Sequence, residues 1–290
     1  LSLGRLDGAW VLASETCALD LIGATFERDV EPGEVVVIRR GRLRSLRPLS
    51  RSASRHFCIF EYMYFARPDS NLQGQNVYAY RKELGRVLAR EQPVPADMVV
   101  PVLDSGNAAA LGYAEESGIP YDTALIRNHY VRRTFIEPAQ SIRNFGVKVK
   151  HNAIRSFLSG KRVILIDDSI VRGTTLIKIV AMLRAAGARE VHIRISSPPS
   201  TGSCYYGVDT PNKEELIAYR HSVDEIRDMM GADSLAYLSL EGLRQLADQE
   251  LKSGICDGCF SGVYPVPVNV EEDRPQLSLF RAVEDEPDSE

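Results

Sequence analysis

Apolar positions follow two rhythms along the chain. The first part, through Ile38, mixes apolar and polar residues around Gly and Pro, as in Val35-Val36-Val37-Ile38 behind Glu31-Pro32-Gly33, which predicts short strands and turns. Arg39 to Arg55 is rich in Arg and Ser, a composition that suits a solvated linker; it lacks the interleaved aromatics of a base-stacking surface. From Met98 a strand and helix alternation sets in. Met98 to Leu103 reads as a buried strand, Asn107 to Ser117 as a helix stopped by Gly118, and Thr123 to Ile126 as another strand. Val163 to Ile166 is a continuous apolar run. Leu176, Ile179, Val180 and Leu183 then mark one helical face ending at Gly187, and Val191, Ile193 and Ile195 alternate as the next strand. Helices are also predicted over Val77 to Arg90, at the capping-box spacing Ser222-Val223-Asp224-Glu225, and over Leu240 to Leu251. The alternation predicts an α/β fold, a parallel sheet flanked by helices, with ligands at the carboxyl ends of the strands. Trp10 and the aromatic cluster Phe60 to Phe65 read as core, and the end from Glu271 on as an acidic, frayed tail.

Composition narrows the class. At 290 residues the chain can bury a sizeable core, and length alone suggests about two domains. Lys plus Arg number 35 against 39 Asp plus Glu, so no overall basic field attracts nucleic acid and any anion site must be local. No apolar run approaches the roughly 20 residues of a membrane span, and the start lacks signal-peptide order. A cytoplasmic protein with neither membrane nor nucleic-acid partners is expected. The five cysteines are too few for a disulfide scaffold of this size and point to thiols or metal ligands. The five histidines form no triad or metal spacing.

The sharpest chemical signal is Val163-Ile164-Leu165-Ile166-Asp167-Asp168-Ser169-Ile170-Val171-Arg172-Gly173-Thr174-Thr175. Adjacent carboxylates sit where a strand ends, followed by a Gly and Thr turn that opens a helix. Free N–H groups and hydroxyls at that helix start suit a phosphate, and Gly173 lets the backbone approach it. The carboxylates suit ribose hydroxyls, or a Mg²⁺ bridging to substrate phosphates.

This string resembles the phosphoribosyl pyrophosphate (PRPP) signature of type I phosphoribosyltransferases, and its wording resembles the glutamine phosphoribosylpyrophosphate amidotransferase family. Supporting stretches are Cys58-Ile59-Phe60-Glu61-Tyr62 with Phe65-Ala66-Arg67-Pro68-Asp69-Ser70, Gly112-Tyr113-Ala114, Arg133-Thr134-Phe135-Ile136, Arg194 to Pro199, and Tyr206 to Thr210. The resemblance implies that Asp167 and Asp168 face the ribose hydroxyls and the metal. It implies that Ser169, Val171, Arg172, Gly173, Thr174 and Thr175 belong to the loop that holds the 5-phosphate, and that Ser105 stands at the Mg²⁺ site. Ser105 is equally compatible with a helix-start cap. The span from Val131 to His151 resembles the loop that closes over PRPP, with Arg133, Lys148 and Lys150 as candidate pyrophosphate contacts. At Arg132 the sequence departs from the glycine expected before Arg-Thr-Phe.

Cys256-Asp257-Gly258-Cys259 alone suits a redox pair, a zinc site or a cluster; with Cys58 and Cys204 it completes four thiolates, enough for zinc or [4Fe-4S]. The resemblance implies [4Fe-4S], since members with cysteines at these four positions carry that cluster. Cys17 falls outside the set and reads as a buried thiol.

The resemblance further implies an N-terminal-nucleophile glutaminase domain, whose first mature residue is a cysteine, that supplies ammonia. Leu12 to Thr16 and Arg28 to Glu34 resemble the β-rich end of that domain. With Leu at position 1 and Cys17 internal, no cysteine here can be the terminal nucleophile, so a piece of a longer protein, unable to hydrolyse glutamine by itself, is expected. Expected divisions are 1–50 for the glutaminase end and linker, 51–255 for the phosphoribosyltransferase domain, and 256–290 for the cluster segment and tail. The implied reaction joins ammonia to PRPP, giving 5-phosphoribosylamine and pyrophosphate, the first step of purine synthesis. A homotetramer inhibited by purine nucleotides is implied as well. A base-using purine phosphoribosyltransferase fits the cysteine set and the first segment less well. A DNA-binding PRPP sensor lacks a helix-turn-helix pattern and a basic charge.

Overall fold

A computed structural model describes residues 1–48, 55–128, 151–251 and 254–268. In the first segment β1 (Ser2–Leu6) pairs antiparallel with β2 (Ala9–Ala13) and with β3 (Thr25–Asp29), and the short α1 (Thr16–Leu21) lies between the last two. Next, β4 (Val35–Arg39) pairs with β5 (Arg42–Leu46). The solvated linker therefore starts later than its composition suggests. Arg40 and Gly41 both take positive φ, 51° and 75°, and two successive left-handed residues make the turn whose twist matches a two-stranded ribbon. Trp10 is half-buried, not core. Its indole N–H donates to Gly41 O at 3.2 Å and the Arg5 guanidinium stacks 3.7 Å above its ring.

The central unit begins with β6 (His56–Cys58) and a π-helical turn, Glu61–Phe65. That turn divides the aromatic cluster: Tyr62 and Met63 are buried, whereas Tyr64 and Phe65 are 49% and 46% exposed and do not belong to the core. The long α2 (Val77–Glu91) starts with the Asn76 side chain accepting the Ala79 N–H at 3.0 Å. It leads to β7 (Met98–Pro101), α3 (Asn107–Ser117), β8 (Leu125–Arg127) and β9 (His151–Ala153). The strand expected near Thr123 to Ile126 does not enter the main sheet: β8 pairs antiparallel with β9, and the two bracket the span 129–150.

The main sheet is parallel throughout. It takes β7, β10 (Arg162–Asp167), β11 (Glu190–Ile195) and β12 (Ser234–Tyr237) in that spatial order, with α4 (Thr174–Ala185) between β10 and β11 and α5 (Val223–Met230) between β11 and β12. Side chains on successive positions point to opposite faces. Val100, Leu165 and Ile193 join α4 and α5 in one core, whereas Val99, Ile164 and Ile166 join α2, α3 and α6 (Leu240–Glu250) in the other. Both faces are covered, which is why β7 and β10 read as apolar runs, whereas β11 alternates because it also buries His192 and Arg194. Within the second core, glycine lets α2 and α3 touch backbone to backbone: a Cβ on Gly85 would lie 1.9 Å from Ala109 O, and one on Gly112 would lie 1.8 Å from Lys82 O. Finally β13 (Gly254–Cys256) pairs parallel with β6. The result is the expected α/β arrangement, a parallel sheet flanked by helices on both faces. Among the described residues no helix is long and apolar enough to cross a membrane.

Candidate active site

Two connections at the carboxyl edge of the parallel sheet build the site. Asp167 ends β10 and Asp168 follows it; both are buried, at 7% and 6% exposure. Backbone groups fix Asp167, since its C=O accepts the Ser196 N–H at 3.0 Å while its Oδ1 accepts the Asp168 N–H at 2.9 Å. The Ser169 hydroxyl donates to Asp168 Oδ2 at 2.5 Å. Burial, and next the Asp168 charge, push the Asp167 carboxyl well above the usual carboxylate range. A buried pair of acids this close calls for a partner that supplies donors or positive charge.

The second connection comes from β7. The Ser105 hydroxyl donates to Asp167 Oδ1 at 3.3 Å, and Gly106 rather than Ser105 precedes α3, without a side-chain cap. The capping role thus gives way to a place beside the acidic pair. Gly106, which sequence patterning did not single out, makes this approach feasible: a Cβ there would meet Ile166 O at 2.4 Å. Its signal was only a glycine immediately before a helix at a strand's carboxyl end. The preceding Leu103–Asp104 peptide is cis, and Asp104 forms an ion pair with Arg127 on β8.

Beyond the acids, Gly173 takes φ 74° and α4 starts at Thr174, leaving Thr174 and Thr175 exposed at the helix N-terminus. Backbone N–H groups there lack helical partners and favour an anion. Val171 is half-buried. Arg172 pairs with Glu215, its Nη2 2.7 Å from Oε2. Asp167, Asp168, Ser169, Ser105 and the 171–175 loop are therefore gathered at one sheet edge. Arg133, Lys148 and Lys150, like the tail from Glu271, lie outside the described residues.

The four cysteines gather at a separate place. The parallel pairing of β6 with β13 sets Cys58 opposite Cys256, and Cys259 follows on a short helical turn, Gly258–Ser261. All four carry free thiols, as does the buried Cys17. Burial, reinforced by Cys58, Cys256 and Cys204, pushes the Cys259 thiol up to about 12. Burial likewise raises Cys58 and Cys256. At Cys204 burial also acts upward, but the backbone N–H groups of Tyr206, Val208 and Gly207 outweigh it and hold the thiol below its ordinary value. Among the described residues, no three or more His, Cys, Asp or Glu side chains close around a single metal ion.

The phosphoribosyl transferase domain family matches residues 86–209. The chain is 52% identical to the amidophosphoribosyltransferase of Bacillus subtilis over 92% of its own length and 57% of that protein. It is 56% identical to the chloroplastic amidophosphoribosyltransferase of Glycine max over 90% of its length and 46% of that protein. Among solved structures, the glutamine PRPP amidotransferase of B. subtilis complexed with ADP and GMP superposes with a TM-score of 0.85 at 51% identity, covering 94% of this chain and 61% of that one. A structure described as the allosteric regulatory enzyme of purine biosynthesis also reaches 0.85, at 52% identity, covering 93% and 58%. The chain spans about half the length of the curated relatives it matches.

Proposed function

High-identity relatives support placing this chain in the amidophosphoribosyltransferase family, and from that premise we propose that it carries the PRPP-to-ammonia transfer half of such an enzyme. The observation that carries the proposal is the buried Asp167–Asp168 pair standing directly before the Gly173-led start of α4. The ribose 2- and 3-hydroxyls donate to the two carboxylates, which offsets the cost of burying them. The 5-phosphate accepts from the loop N–H groups and from the hydroxyls of Thr174 and Thr175. Held at both ends, the ribose presents C1 toward the Ser105 side of the pocket. Ammonia attacks C1, the C1–O bond breaks with its electron pair leaving on pyrophosphate, and one ammonium proton is lost. Arg133, Lys148 and Lys150 are proposed to contact that pyrophosphate, and closure of their segment to exclude water.

The residues present fit a Mg²⁺. Asp167, Asp168 and Ser105 offer two carboxylates and a hydroxyl, hard oxygen donors that would hold the ion beside the substrate phosphates. When bound, it would neutralise charge on the leaving pyrophosphate. Cys58, Cys204, Cys256 and Cys259 supply four thiols, the donor set of a [4Fe-4S] cluster, and Cys58, Cys256 and Cys204 lie near enough to Cys259 to raise its thiol. The cluster would tie β13 to β6 and needs no redox role in the transfer.

Ammonia from glutamine, in a glutaminase domain of which residues 1–50 form the end, belongs to the same proposal. So do the division at 255, a cytoplasmic location, a homotetramer, and inhibition by purine nucleotides; the relative solved with ADP and GMP supports the last. The testing experiment is pyrophosphate release from PRPP with ammonium as acceptor, run beside a purine base as acceptor.

A further inference from the structure

The phosphate loop is held from outside at three successive residues. Ile217 N–H donates to Val171 O at 2.9 Å. Arg172 sends Nε and Nη2 to the same Glu215 oxygen, at 2.9 and 2.7 Å. The buried Ile217 packs against Gly173, where an added Cβ would come within 2.9 Å of its Cδ1. Glu215 closes a 3-10 turn, Lys213–Glu215, with its own N–H donating to Asn212 O at 2.8 Å. This turn continues from the Cys204 loop, where Cys204 N–H donates to Thr210 Oγ1 at 2.7 Å and the Ser203 hydroxyl donates to Pro211 O at 3.0 Å. A single stretch of chain therefore runs from the thiol cluster to the back of the phosphate loop.

Arg172 is the cation nearest in sequence to the helix start that would hold a phosphate, yet it spends two of its five donors on Glu215. We propose that Glu215 is a positioning residue for the phosphate loop: by holding Arg172 it seats the Val171–Gly173 backbone against the 213–217 turn, aims the N–H groups at the 5-phosphate, and thereby sets PRPP affinity. The proposal rests on the PRPP assignment above. The pair is 55% and 49% exposed, so it adds little to global stability. Its leverage is geometric, because a small misplacement of a substrate-holding loop weakens binding far more than a surface ion pair weakens folding.

The test is Glu215→Gln beside Glu215→Asp in the intact protein. The probe is ribose 5-phosphate, which carries the phosphate and hydroxyls without pyrophosphate, titrated by calorimetry; PRPP turnover is followed in parallel. E215Q is expected to weaken ribose 5-phosphate binding and raise the KM for PRPP by about tenfold, with kcat within about twofold, unchanged Tm, and most of the affinity restored in E215D. Unaltered affinity and KM in E215Q, with normal wild-type turnover, overturns the proposal alone. A joint fall of kcat and Tm that E215D fails to rescue assigns Glu215 to folding and overturns it too. Wild-type protein that neither binds ribose 5-phosphate nor turns over PRPP overturns the phosphoribosyl assignment and the proposal together.

Discussion

The Ser105 hydroxyl donates to Asp167 Oδ1 at 3.3 Å although 62 positions separate the two residues. The contact joins the ends of neighbouring strands β7 and β10, whose backbones are stitched by Val102 N–H donating to Ile166 O at 2.8 Å. It turns two unrelated sequence features, a serine after a strand and a diacid after another, into one polar site.

Gly106 sets that contact. A Cβ 2.4 Å from Ile166 O forces the two connections apart, so Gly106→Ala should cost about 1–3 kcal/mol of stability and move Ser105 off Asp167. Chemical denaturation, together with the KM for PRPP at limiting Mg²⁺, checks this. Wild-type behaviour on both measures would show that the strand ends accommodate the methyl group.

The acidic pair makes stability depend on pH. Asp167 titrates higher in the folded chain than in the unfolded one, so between the two values the folded state binds more protons and stability falls as pH rises. This contribution is complete below the ordinary carboxylate value and lost above the raised one. Asp167→Asn should flatten that part of the Tm against pH profile and leave the fold intact, while PRPP turnover drops by at least about a hundredfold. An unchanged slope, or unchanged kinetics, would contradict the assignment.

Much of this site was legible in the chain itself. The run Val163 to Ile166, the diacid and the Gly-Thr turn appear where patterning put them, on β10 and at the start of α4, and Leu176, Ile179, Val180 and Leu183 form the buried face. The Ser222 to Glu225 spacing became a capping box with both reciprocal bonds. Less legible were features set by distant backbone. Nothing in the text around Gly85, Gly106 or Gly112 says that a carbonyl lies where a side chain would stand. Strand β4 appears where Val35 to Ile38 read as a strand, but its partner β5 hid in the arginine-rich stretch because an exposed strand needs little apolar content, and Trp10 read as core because an aromatic ring carries no mark of the arginine that covers it.

Helix packing offers an independent check on the fold. Gly112→Ala puts a methyl group 1.8 Å from Lys82 O, and relief requires α2 and α3 to separate. A loss of about 2 kcal/mol or more is expected in denaturant unfolding, without a specific effect on the KM of the folded fraction. A neutral substitution would show a looser helix contact.

The thiol cluster makes a compositional prediction. Protein purified without oxygen should carry iron and acid-labile sulfide in about a four-to-four ratio, and serine at Cys58, Cys204, Cys256 or Cys259 should remove both, whereas Cys17→Ser should keep them. Finding zinc in place of iron would overturn the cluster assignment.

The central claim is transfer of the phosphoribosyl group to ammonia. Purified protein given PRPP, Mg²⁺ and ammonium should release one pyrophosphate for each 5-phosphoribosylamine formed, and adenine, guanine or hypoxanthine should not replace ammonium. Pyrophosphate release that requires a purine base, or none with ammonium under anaerobic conditions, would contradict the account.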